Sequence, residues 1–280
     1  MKTVNFCIGL PRSGSTVLMN ILQQNPKIYT TGTCPLPYAV EALKYQTTSV
    51  SEFIAMPQDS VTECYKGFIK HGIDGWFNQL TDKPMVISKS RSWDSNLNIL
   101  FATYENPKFI VCLRDLRDII ASFEKLLFKN THIHMGSRED PFHMLPMSKR
   151  VEIYCTDTGG NMGRPLMYLK HVLEWMQRRP NNFYVNKWED FSENPTRSLR
   201  AMYNWLGMDY HEHDLNNIKQ SEYYEHDTVY RALVSHVTKP KLERTPPSWP
   251  KYMSDGDSAS VLQNCKWFYE TFYPELLRVR

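Results

Sequence analysis

Short apolar runs alternate along the chain with stretches whose apolar residues recur at helical spacing. Val4, Phe6, Cys7, Ile8 and Leu10 form a nearly continuous run, and Val17, Leu18, Ile21 and Leu22 follow as one helix face. Pro11, Ser13 and Gly14 mark a tight loop between them. A second unit begins at Met85-Val86-Ile87-Ser88, passes through Lys89-Ser90-Arg91 and predicts a helix carrying Leu97, Leu100 and Phe101. In the third, Phe109-Ile110-Val111-Cys112-Leu113 is a buried strand, and Leu116, Ile119, Ile120, Phe123, Leu126 and Leu127 share one helix face. Asp115 stands where it can cap that helix. The fourth runs from Phe183-Tyr184-Val185 through Trp188-Glu189-Asp190-Phe191 to Asn194-Pro195, a cap with proline in the first turn; Leu199, Met202, Tyr203 and Leu206 are its buried stripe, and Gly207 ends it. Repeated strand-then-helix units predict an α/β fold, a parallel β-sheet flanked by helices on both faces. Ligands of such folds bind beyond the carboxyl ends of the strands.

Two stretches break the rhythm, residues 130–163 and 235–254, and both read as long loops or lids. From Asp257 a closing helix carries Val261, Leu262, Cys265, Phe268, Tyr269 and Phe272. No repeat, low-complexity tract or domain boundary interrupts the chain, so residues 1–280 are expected to form a single domain. With 41% hydrophobic residues the chain can bury a sizeable core. Its 33 basic and 30 acidic residues leave a net charge of +3, too small an excess for sequence-independent binding to nucleic acid. No run approaches the roughly 18 apolar residues of a membrane span, and Lys2 leads directly into the first strand without a signal-like core, which predicts a cytoplasmic protein. The six cysteines include no C-x-x-C pair, so they read as reduced, mostly core thiols. His132 with His134, and His211 with His213, lack further ligands at metal spacing, and no metal is expected.

The candidate chemistry begins at Gly9-Leu10-Pro11-Arg12-Ser13-Gly14-Ser15-Thr16. Between a buried strand and a helix, such a loop offers backbone N–H groups and a helix N-terminus to an anion. The spacing is that of G-x-x-x-x-G-K-[ST], with Ser15 where nucleotide-hydrolysing loops carry the lysine that serves the β- and γ-phosphates. Arg12 supplies a positive charge from inside the loop instead. A 5′-phosphate bearing one further small anion suits this loop better than a magnesium-bound triphosphate.

The run Leu10-Pro11-Arg12-Ser13-Gly14-Ser15-Thr16-Val17-Leu18 resembles the 5′-phosphosulfate loop of the sulfotransferases that use 3′-phosphoadenosine 5′-phosphosulfate (PAPS). The P-R-S-G-[ST]-T form of protein-tyrosine sulfotransferases and related bacterial and phage-encoded enzymes is the nearest in motif, and Asn25-Pro26 also fits their pattern. The resemblance implies a P-loop nucleotide-kinase-like sulfotransferase fold, with Arg12, Ser13, Gly14, Ser15 and Thr16 holding the cofactor. It also implies that Arg114, at a strand end, and Ser122, eight residues later, take the 3′-phosphate. Trp188 is similar to an aromatic residue that stacks on adenine, and Lys239 of Val237-Thr238-Lys239-Pro240 to a lysine that reaches the cofactor phosphate. Lys89 and Arg91 resemble a K-x-H element in which arginine replaces histidine. The glycine-rich C-terminal phosphate segment of cytosolic members is absent, and no carboxylate stands at residues 31–33, where tyrosine sulfotransferases place a candidate base.

Sulfuryl transfer builds negative charge on the oxygen bridging to the leaving phosphate, so it needs fixed cations there and a base for the acceptor proton. Arg12 and Lys89 are expected to serve the first need, and an arginine such as Arg91 cannot serve the second. For the base, Glu41 ranks first, before His71 and Asp94. The acceptor stays open among a small molecule, a carbohydrate and a peptide tyrosine. Two rivals share parts of this pattern: a small-molecule or nucleotide kinase, which would need a lysine at position 15, and a non-catalytic adenosine-phosphate-binding module, which would lack a base.

Overall fold

The computed structural model describes residues 2–129, 142–220 and 238–278. Five parallel strands, β1 (Thr3–Gly9), β2 (Ile28–Thr30), β3 (Met85–Lys89), β4 (Phe109–Leu113) and β5 (Phe183–Lys187), lie in the order β2-β3-β1-β4-β5. β1 is therefore central, with Phe6 opposite Ser88 of β3 on one side and Gly9 opposite Cys112 of β4 on the other. Side chains alternate across this sheet as the strand period requires. Val4, Phe6, Ile8, Phe109, Val111 and Leu113 enter one buried core, and Cys7, Ile87, Ile110 and Cys112 enter a second core on the opposite face.

α1 (Ser15–Leu22) covers the second face. The first face is covered largely by the segments between β2 and β3 and by those after β4. α2 (Leu36–Ser49), α3 (Ser51–Ile54) and α4 (Gln58–Leu80) lie in a stretch where no strand-helix unit is legible in the sequence. α4 buries Val61, Ile69, Ile73 and Phe77 of its 23 residues, with Tyr65 half-buried on the same narrow stripe, while Phe68 and Trp76 are exposed on other faces. After β3 the expected helix is delayed by a 3₁₀ turn, Arg91–Asn96, because Trp93 tucks under the strand end, fully buried, with its indole N–H donating to Ser88 Oγ at 3.0 Å. α5 (Leu97–Thr103) and α6 (Leu116–Lys129) then follow. Asp115 caps α6, accepting the Arg117 backbone N–H at 3.0 Å.

Of the long loop expected over residues 130–163, the part from Phe142 is described, and it contains a helix, α7 (Met147–Thr156). Pro146 precedes that helix as its N-cap, so the proline that reads as a loop signal is a helix start. α8 (Gly163–Arg178) packs on the first face and α9 (Trp188–Glu193) follows β5 directly. α10 (Pro195–Leu206) covers the second face and ends at Gly207 in the left-handed conformation, φ 76°. Asn194 occupies its N-cap position, but its side chain makes no capping bond. The closing helix starts two residues earlier than expected, because Ser254 and Asp257 form a reciprocal capping box. It is two helices, α11 (Asp255–Asn264) and α12 (Lys266–Phe272), separated at Cys265.

Gly9 closes β1 with φ 129°, and a Cβ there would overlap the carbonyl of Cys112 on β4. Gly207 also has positive φ but faces open space. Gly9→Ala should therefore lower stability by about 3 kcal/mol or more, roughly 5–10 °C in Tm, whereas Gly207→Ala should lose only about 1 kcal/mol. Thermal unfolding of both variants checks the difference, and equal losses would mean that the β1–β4 approach does not require glycine.

Candidate functional site

The loop between β1 and α1 is built by two left-handed residues, Arg12 at φ 58° and Gly14 at φ 79°. Ser13 is buried and donates its hydroxyl to the Leu10 carbonyl at 2.6 Å, so this side chain closes the loop rather than lining it. No side chain caps α1, and its first-turn N–H groups have no intrahelical acceptor, the arrangement that binds anions. The indole of Trp188 lies directly against Gly14, where any Cβ would strike the ring.

Because β4 is hydrogen-bonded to β1, the loop meets the residues that follow β4. Arg12 Nε donates to Ser122 Oγ at 2.9 Å, and Arg114 Nη1 donates to the Arg12 carbonyl at 3.3 Å. Burial and the neighbouring Arg114 charge both lower the proton affinity of the Arg12 guanidinium. Arg114 approaches Asp118 only at 3.9 Å, and its Nε is buried without a partner among the described residues. On the other side of β1, Lys89 donates to Thr16 Oγ1 at 2.9 Å and to the Gly32 carbonyl at 2.7 Å. Burial above all, with the Arg91 charge adding, pulls the Lys89 ammonium down to about 8. The fold thus gathers Arg12, Thr16, Lys89, Arg114 and Ser122 around one loop.

The remaining candidates are placed less centrally. Most of the Trp188 ring is buried in the second core, at 9% exposure, and its Nε1 has no partner among the described residues. Lys239 is 83% exposed with Glu243 at 3.8 Å, although its neighbour Thr238 accepts a hydrogen bond from Asn20 of α1 at 2.8 Å. Glu41 accepts from Ser95 Oγ at 2.6 Å and from Asn96 Nδ2 at 3.4 Å, while His71 lies exposed on α4. Asp94 is buried between Ser95 and Trp93, and burial pushes its carboxyl up to about 7. His213 is a core histidine bonded to Tyr203 at 3.0 Å and drawn down to about 4 by burial and by His211. His132, His134 and Val237 lie outside the described residues.

Sequence reasoning misses the brace that holds Arg114. Asp115 pairs with Arg117 at 2.6 Å and accepts the Tyr269 hydroxyl at 2.8 Å. The Asp115 backbone N–H donates to Glu189 at 3.0 Å, and Glu189 accepts the Tyr273 hydroxyl at 2.9 Å. Asp118 takes three donors from Ser248 and Trp249, tying the C-terminal segment to α6. Apart from the Asp115–Arg117 pair, these partners are separated by 74 to 154 residues, beyond the reach of any local pattern.

An α/β sheet with an uncapped helix behind a glycine loop and cations on both sides is a site for a small anionic group. The family model described as "Sulfotransferase family" matches residues 6–212, and the chain belongs to that family. Solved structures agree in fold. The sulfotransferase domain of the Synechococcus PCC 7002 olefin synthase is 17% identical, with TM-score 0.56 over 94% of each chain. The sulfotransferase domain from the curacin biosynthetic pathway is 14% identical, with TM-score 0.57 over 95% of this chain and 98% of that one. Mouse sulfotransferase SULT7A1 complexed with PAP is 15% identical, with TM-score 0.50 over 98% of this chain and 86% of that one. No curated protein sequence matches the chain.

Asp115→Asn leaves Arg117 buried beside a neutral partner and should destabilise the protein by about 3–5 kcal/mol. Tyr269→Phe removes one hydrogen bond to the same carboxylate and should lose about 1–2 kcal/mol. Urea unfolding of the two variants measures both, and a loss below 1 kcal/mol for Asp115→Asn would show that the brace is not structural.

Proposed function

We propose that this sulfotransferase takes its sulfuryl group from PAPS and transfers it to a hydroxyl or amine acceptor, releasing adenosine 3′,5′-bisphosphate (PAP). One observation supports the reading: Arg12 from the loop, bonded to Ser122, feels the charge of Arg114 from the end of β4, and Arg114 meets its carboxylate, Asp118, only at 3.9 Å. Two cations held this way suit a ligand with phosphates at two positions. Ser13, Gly14, Ser15 and Thr16 hold the 5′-phosphosulfate through loop and helix N–H groups, Arg114 and Ser122 hold the 3′-phosphate, and Trp188 serves the purine end. Lys239 reaches the phosphate from the segment that Thr238 ties to α1.

Arg12 and Lys89 stabilise the charge that grows on the oxygen bridging sulfur and phosphate. A proton affinity of about 8 leaves Lys89 mostly charged at neutral pH. The acceptor hydroxyl or amine attacks sulfur in line with the bond from sulfur to the bridging oxygen, and that bond breaks with its electron pair leaving on the 5′-phosphate. The acceptor proton goes to a carboxylate near the end of β3, either Glu41 or Asp94. The acceptor is a small molecule, a carbohydrate or a peptide tyrosine. The whole chain acts as one catalytic domain, a reading supported by α11 and α12, which share the first core with β1 and β4. With Ser15 in place of the triphosphate lysine, no observation favours a kinase.

Arg114→Ala should weaken PAP binding by roughly 10- to 150-fold, the equivalent of about 1.5–3 kcal/mol for a charge-assisted bond, while leaving adenosine 5′-phosphate nearly unaffected. Calorimetric titration of both nucleotides tests this. Equal weakening would make Arg114 a structural cation, and wild-type protein that transfers no sulfate from ³⁵S-labelled PAPS to a panel of phenols, sugars and peptides would overturn the assignment.

A further inference from the structure

α4 has two apolar rows, and the fold covers only one of them. Ile69, Ile73 and Phe77 of the first row enter the first core. One residue out of step runs a second row at the same i, i+4 spacing, Cys64, Phe68, Gly72, Trp76 and Leu80, and every member of it is exposed. One residue is roughly 100° around the helix, so this row turns away from the core. Phe68 is 67% exposed and Trp76 43%. The row carries no charge, and the charged neighbours are paired along α4 itself, Lys66 with Glu63 at 2.6 Å and Lys70 with Asp74 at 2.7 Å. At its middle stand Gly72 and, beside the row, Gly75, where an added Cβ would meet nothing within 4 Å. Glycine is the weakest helix former after proline, and no described residue comes close enough to require it at either position.

We propose that this row is the contact surface for a second copy of the chain, whose own α4 crosses the first in antiparallel sense with the two-fold axis at Gly72. The proposal is independent of the nucleotide reading. The spacing is self-complementary, because a two-fold at Gly72 sets residues equally far before and after it opposite one another. Phe68 then meets Trp76 of the partner subunit, Trp76 meets Phe68 of the partner subunit, and Cys64 and Leu80 pair in the same way. Ridges of i±4 spacing interlock at about 50°. The bare backbone at Gly72 lets the helices approach where they cross, and an aromatic pair closes over each side. An uncharged face offers nothing to nucleic acid or to an anionic lipid surface, whereas a patch depleted of charge and rich in aromatic rings has the composition of a subunit contact. Its area suits a small contact. Phe68 and Trp76 leave about 200 Å² of side chain open per protomer. With Leu80 and the polar rim the pair covers roughly 1,000 Å² over both subunits, the lower limit of a specific interface, which makes the dimer a micromolar one.

The test is sedimentation equilibrium of the full chain between about 1 and 200 µM, joined to cross-linking. Wild type should pass from monomer to dimer over that range, and Phe68→Ala and Trp76→Ala should each raise Kd roughly 10- to 100-fold. Gly72→Ala should raise Tm by about 2–4 °C in dilute solution, because alanine is the better helix former, and yet weaken the dimer about 10-fold or more. Gly67→Ala, likewise open but roughly 140° away around α4, should raise Tm and leave association unchanged. With Cys64→Ser removing the exposed native thiol, Gly72→Cys should be oxidised by copper phenanthroline to a disulfide-linked dimer, since a residue on the axis lies beside its own copy. A chain that stays monomeric at about 200 µM, or a dimer that Gly72→Ala and Trp76→Ala leave intact, would overturn the proposal.

Discussion

Two guanidinium groups, Arg12 and Arg114, share one small space at the carboxyl end of the sheet, and the arrangement of everything near them follows from that. Burial first, and the neighbouring Arg114 charge second, lower the proton affinity of Arg12. Their approach is set by the backbone. β1 and β4 are hydrogen-bonded neighbours with Gly9 opposite Cys112, and only a glycine allows the carbonyl of Cys112 so near. The loop then turns through the left-handed Arg12, which brings that side chain to Ser122 on α6.

That charge pair is held in place by a brace on the far side of β4. Asp115 answers Arg117 rather than Arg114, and Asp118 spends one oxygen on Ser248 and Trp249. Arg114 thereby keeps only a long pairing, 3.9 Å, with the other oxygen of Asp118. The tyrosines of α12 and its end, Tyr269 and Tyr273, complete the support through Asp115 and Glu189. The family match ends at residue 212, yet these supports lie beyond residue 240, so the C-terminal helices belong to the architecture of the site.

Much of this was legible in the residues alone, for identifiable reasons. β1, β3 and β4 are buried on both faces, and a doubly buried strand writes itself as a continuous apolar run; β5, at the sheet edge, is half-buried and read from Phe183-Tyr184-Val185 alone. The loop is a local motif, so its glycines, Arg12 and Ser15 can be read in order. β2 was not legible because it has only three residues. α2 to α4 are hidden in the sequence because exposed apolar residues such as Tyr45, Ile54 and Phe68 blur their narrow buried stripe, and α7 because its leading proline resembles a loop signal. Trp188 reads as a cofactor wall, yet most of its ring supports the loop from the second core. The pairing of Lys89 with Thr16, and of Glu41 with the turn that holds Asp94, spans more than 50 residues in each case and becomes visible only in the fold.

The reading proposed for the site is a cradle for an adenosine nucleotide with phosphates at two positions, on a loop that has Ser15 where the triphosphate lysine would stand. The most direct measurement is calorimetric titration of the wild-type chain with PAP in the absence of divalent metal, set beside ATP with magnesium. Saturable PAP binding that is clearly tighter than ATP, and weakens as salt screens the two guanidiniums, is the result this account predicts. Tight magnesium-dependent binding of ATP, with no heat from PAP, would contradict it.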